Sequence, residues 1–131
     1  MSISFPSLRS VDGLLFPGDP GYDEACSPWN LAATQHPVAV AAPRSAEEVV
    51  GIVRAVAAHG LRIAVQSTGH HAVALADDGL DDAVLLRMHA LTGVTVDPVQ
   101  RTARVLGGTL WRDVVAAAAP HGLASLHGSA G

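Results

Sequence analysis

Residues 36–71, HPVAVAAPRSAEEVVGIVRAVAAHGLRIAVQSTGHH, decide the fold. The stretch opens on a short apolar run that Pro43 closes. Ser45 then stands where a helix N-cap belongs, and Glu48 follows three residues on, the spacing of a capping box. Val49, Ile52, Val53 and Val56 fall on one face at helical spacing, and Gly60 supplies the stop. LRIAVQS resumes as a second apolar run. Strand, helix and strand over roughly 37–67 have the length of one right-handed βαβ unit.

Downstream, AVLLRM (83–88) and GVTVDPVQRTARVLGG (93–108) read as further strands, with Asp97-Pro98-Val99-Gln100 as a hairpin turn. IAVQ and AVLLRM both look buried on two faces. TLWRDVVAAAAPHG (109–122) reads as a second helix, with Thr109 as its N-cap and Pro120 and Gly122 at its end. Upstream, residues 1–35 form an irregular lead-in rich in Pro, Gly, Asp and Ser, with a short helix expected near Leu8 to Leu15. The whole is an α+β chain, an α/β sandwich in which a βαβ unit is followed by further strands and a helix.

Composition narrows the function. The chain has 131 residues, enough for one compact domain or part of one. Its eight basic residues are all arginine and are outweighed by twelve acids, for a net charge of −4. That argues against nucleic acid or an anionic membrane as partner. The single cysteine, Cys26, excludes an internal disulfide framework and a clustered thiolate metal site. No segment has the length of a membrane span and the first residues lack the layout of a secretory signal, so a cytoplasmic location is expected.

Two stretches carry chemistry. In Gln66-Ser67-Thr68-Gly69-His70-His71 a strand runs into small residues whose backbone N–H groups can form a concave nest for an anion. A plain strand-to-helix connection is the alternative there. His70 and His71 would diverge on an extended backbone, and His59, His89, His121 and His127 lie at unrelated spacings, so no metal site is expected. Gly107-Gly108 stands before the second helix, either as a phosphate-facing helix start or as a simple turn. No G-x-G-x-x-G fingerprint follows any strand.

The order of these pieces from about His36 to Gly131 resembles the N-terminal portion of the FAD-binding PCMH-type domain of the vanillyl-alcohol oxidase superfamily, in its berberine-bridge-enzyme-like branch. FPGDPGYDEACSPWN (16–30) also resembles the segment that precedes this domain. The resemblance assigns 36–131 to the N-terminal part of such a domain and implies FAD as cofactor. Its pyrophosphate-cradling loop is commonly R-x-G-G-H, and Gln66, Ser67, Thr68, Gly69 and His70 match it position by position. His70 is then the residue expected to link covalently to the flavin, with His71 a loop neighbour. Gln66 replaces the usual arginine, and Thr68 the first glycine, narrowing the room for backbone approach. Some members attach the flavin again through a cysteine near the place of Ala130; here a single link is expected. Gly128 and Ser129 in the closing HGSAG are further candidate cofactor contacts.

The resemblance implies an FAD-dependent oxidoreductase that removes hydride from an alcohol, a sugar or a related hydroxylated small molecule. Family catalytic bases lie largely in a later substrate domain, so none is named here. The chain is expected to be a truncated piece that alone turns over no substrate and binds FAD weakly if at all. The rival readings are a non-catalytic fragment and an anion-binding α/β domain unrelated to flavin.

Overall fold

The computed structural model describes residues 7–126. Its elements in chain order are β1 (Leu14–Leu15), α1 (Tyr22–Cys26), β2 (Ala39–Ala41), α2 (Ala46–Ala58), β3 (Arg62–Gln66), α3 (Ala72–Asp77), β4 (Ala83–Arg87), β5 (Val94–Asp97), β6 (Thr102–Val105) and α4 (Trp111–Ala118). The first four strands form one sheet in the order β1-β2-β4-β3, and β5 and β6 form a separate antiparallel hairpin. This is the mixed α+β architecture that the sequence implied.

The helix that organises the fold starts as its sequence dictates. Ser45 Oγ accepts from Glu48 N at 3.1 Å. The Glu48 carboxylate reaches back to Arg44 N at 2.8 Å, one residue before the cap. Ile52 and Val56 are buried, with Val49 partly covered beside them. Val53, expected on this face, is exposed, because the sheet covers only the stripe running through Val49, Ile52 and Val56.

β2 and β3 are parallel but not adjacent, because β4 lies between them and pairs with both. The composition of β4 explains its place: Ala83, Val84, Leu85 and Leu86 are all buried, as a strand covered on two faces requires. Val84 and Leu86 pack with Ile52 and Val56 on the α2 side. Leu85 and Ala83 pack with Tyr22, Cys26 and Leu80 on the other. The expectation of two-faced burial fails for β3. It is the edge strand, and Val65 is 62% exposed.

The lead-in contributes to the core. No helix spans Leu8–Leu15; a single 3-10 turn (Leu8–Ser10) is followed by β1, which pairs antiparallel with β2. Leu8, Leu14 and Phe16 are buried. The Tyr22 hydroxyl donates to Pro37 O at 2.5 Å, and burial pushes both its pKa and that of the Cys26 thiol upward.

In the hairpin, Asp97 Oδ1 accepts from Val99 N and Gln100 N, each at 2.9 Å, which forms the expected turn. Thr109 does not cap α4. Its hydroxyl is engaged by the backbone of Gly93, accepting from the N–H at 2.9 Å and donating to the carbonyl at 3.1 Å, and Leu110 takes the cap position. Arg62 braces the edge strand through Asp82 at 2.9 Å and Asp78 at 3.1 Å. Among the described residues, no helix is long and apolar enough to cross a membrane.

Candidate functional site

β3 ends at Gln66, and the next five residues turn the chain into α3. Gly69 makes that turn possible. Its φ of +83° belongs to glycine, and a Cβ there would lie 2.7 Å from Pro28 Cβ and 3.0 Å from Gln66 Cδ. No side chain fits between them.

The loop's carbonyls face the lead-in. Thr68 O accepts from Trp29 N at 2.9 Å, and Gly69 O from Asn30 N at 3.4 Å. His70 O accepts from Asn30 Nδ2 at 3.5 Å. Among the described residues, the N–H groups of Thr68, Gly69, His70 and His71 donate to no protein group. Four consecutive free amides beside an open depression of about 580 Å³, lined by the loop, Ala72, Leu75 and Asp78, make an anion nest chemically possible.

The side chains fall into two sets. His70 and His71 are exposed, with ring centroids 4.7 Å apart and planes tilted by 55°. The expectation that they diverge does not hold, because the backbone here turns rather than extends. Thr68 Oγ1 lies 2.9 Å from His70 Nδ1, leaving Nε2 as the uncommitted nitrogen of that imidazole. Gln66, by contrast, is buried. It is 6% exposed, and both polar atoms of its carboxamide are buried without a partner.

Arg87 is Gln66's cross-strand neighbour. Its Nη1 donates to Ala25 O and Ser27 O, both at 2.8 Å, which ties the end of α1 to the central strand. Burial lowers its pKa. The cation closest in the sheet to the loop is thus engaged with main-chain carbonyls. Neither Arg87 nor Pro28-Trp29-Asn30 stood out in the sequence. The one available signal was the aromatic and polar WN pair after a proline in an otherwise small-residue lead-in.

The other candidates separate from this site. At Gly107-Gly108, Gly108 N donates to Leu91 O at 2.9 Å and Thr109 N to Leu106 O at 3.0 Å. Those amides are spent inside the turn. A Cβ at Gly108 would overlap Met88 O at 1.8 Å, so close backbone packing explains the glycine. Gly128 and Ser129 lie outside the described residues. A hollow of about 630 Å³ at the start of α2, bounded by Val11–Gly13 and Arg44, is slightly larger than the loop depression. It touches none of the loop residues, and its Glu48 carboxylate is already bonded to Arg44 N.

Comparison with known proteins gives this arrangement a context. The family model described as "FAD binding domain" matches residues 37–130. (R)-6-Hydroxynicotine oxidase of Paenarthrobacter nicotinovorans is 31% identical over 129 residues, covering 98% of this chain and 28% of that protein. The crystal structure of 6-hydroxy-D-nicotine oxidase from Arthrobacter nicotinovorans superposes with a TM-score of 0.70 at 28% identity, over 91% of this chain and 26% of that one. A BBE-like protein of Physcomitrella patens shares the fold, with a TM-score of 0.61 at 23% identity over 73% of this chain and 21% of that one. The chain therefore spans a little over a quarter of the oxidase's length.

Proposed function

This chain belongs to the FAD-binding domain family, and we propose that its 66–71 loop holds the FAD pyrophosphate and that His70 is the covalent attachment point. The observation that carries this reading is the run of free N–H groups from Thr68 to His71 beside an open depression. Neutral amide donors hold a pyrophosphate without a cation, which suits a loop whose usual arginine is Gln66. Gly69, where a Cβ would meet Pro28 and Gln66, lets the loop lie close against its support. The anion-binding alternative without flavin is not favoured, since the family match covers the loop and both flanking elements.

Bound FAD supplies the capacity to accept a hydride. This chain's residues bind and orient it. The Thr68 hydroxyl at His70 Nδ1 fixes the ring and leaves Nε2 as the nitrogen free to bond carbon. The protein to which this domain contributes is an oxidoreductase acting on a hydroxylated small molecule, and in this reading it works in the cytoplasm. Its catalytic base is not among the residues assigned.

The test is flavin retention. The full-length protein is expressed with FAD and precipitated with acid, and flavin colour in the pellet is measured for wild type, His70→Ala and His71→Ala. Wild type and His71→Ala should keep the flavin and His70→Ala should release it. Acid-stable flavin in His70→Ala would refute the attachment.

A further inference from the structure

We infer that Pro28, Trp29 and Asn30 form a clamp that presets the phosphate loop, with Asn30 as a positioning residue that does not itself touch the cofactor. The inference rests on the flavin reading above and extends it to residues that precede the matched family region at 37–130.

Three consecutive loop carbonyls, Thr68, Gly69 and His70, all accept from just two residues of the lead-in. A loop of small residues has many backbone conformations, and each peptide unit that rotates swings one carbonyl toward the anion and one amide away. Fixing three carbonyls on the protein side removes that freedom before any ligand arrives, which is the preorganisation that anion binding by neutral donors needs. Pro28 closes the same face: its ring is buried and occupies the space where any side chain at residue 69 would stand.

The clamp is itself anchored. Asn30 Oδ1 accepts from Ala32 N at 3.1 Å, which orients the carboxamide so that Nδ2 meets His70 O. One residue before Pro28, Ser27 O accepts from Arg87 at 2.8 Å, which links the clamp to the central strand of the sheet. Gly69 O also accepts from Ala72 N at 3.2 Å within the loop, whereas the Thr68 and His70 carbonyls are held by lead-in residues about 40 positions earlier in the chain.

The experiment uses ¹⁵N-labelled chain, with ADP as the pyrophosphate probe and FAD in parallel. Amide exchange of Trp29 and the shifts of residues 68–71 are followed in wild type, Asn30→Ala, Pro28→Ala and, as control, the exposed neighbour Leu31→Ala. Affinities are measured well below each variant's melting temperature, so that the folded fraction is not the variable. In wild type the Trp29 amide should be protected and ADP should shift the amides of 68–71. Asn30→Ala and Pro28→Ala should each weaken ADP and FAD roughly 3- to 10-fold, the scale of one hydrogen bond's net contribution, and Leu31→Ala should not. Wild-type binding with both variants unchanged would overturn the clamp and leave the flavin reading standing. Absence of any ADP or FAD response in wild type would overturn both.

Discussion

Replacing Gln66 by methionine should stabilise the ligand-free chain. The side chain is 6% exposed, and neither its oxygen nor its nitrogen has a partner in the protein. A buried polar group left unmatched costs about 1–3 kcal/mol. Methionine keeps the length and flexibility of glutamine while removing both polar atoms, and volume-conserving swaps of this kind cost less than about 1.5 kcal/mol in packing. The balance favours Gln66→Met by roughly 1 kcal/mol, which for a domain of this size raises Tm by about 2–8 °C. Thermal melts and urea titrations of ligand-free protein measure it. Because the carboxamide atoms are buried, FAD affinity should change less than about twofold, well under one hydrogen bond's contribution. Gln66→Arg should behave oppositely, since its guanidinium would enter a buried site beside its ladder partner Arg87, and should lower stability. A Gln66→Met chain less stable than wild type would refute the reasoning. It would mean that the carboxamide is fully hydrogen-bonded in solution.

Gly108→Ala should destabilise by at least about 1–3 kcal/mol, the usual range for overpacking, because the new Cβ would collide with a backbone oxygen, Met88 O, at 1.8 Å. Circular dichroism melts should show it, and a neutral effect would mean the 88–91 turn can move freely. Asp19→Asn addresses pH. The Asp19 carboxylate accepts from Phe16 N at 2.8 Å, which together with Arg9 holds its pKa below the ordinary value. A depressed carboxyl adds stability above its unfolded pKa and loses it as pH falls through its folded one. The Tm gap between wild type and Asp19→Asn should therefore be open at pH 6 and close below about pH 4, and a gap independent of pH would exclude this cause.

Much of the fold was legible because local signals agreed. Ser45, Glu48 and the stripe through Val49, Ile52 and Val56 place α2, and Asp97-Pro98 places the hairpin. Strand order was not legible. Periodicity reports which faces are covered, not which strands are neighbours, so nothing in LRIAVQS foretold that β4 would insert between β2 and β3. The same limit hid the exposure of Val65, since an edge strand and a central one can share a sequence. Thr109 read as a cap, yet a hydroxyl bonds to whatever backbone is closest in space, and that was Gly93.

The loop shows the division most clearly. Its position at the end of β3 followed from the chain order, but its conformation depends on Trp29 and Asn30, which no local pattern connects to it. Replacing the first family glycine with Thr68 suggested a site narrowed against the phosphates. In the fold the left-handed position is the second glycine, Gly69, where Pro28 and Gln66 leave no room for a Cβ. The Thr68 side chain instead meets His70 Nδ1, while its amide remains free. Of the two glycine positions, only 69 is dictated by backbone geometry. Residue 68 can therefore carry a hydroxyl that meets the histidine while its own amide stays unengaged.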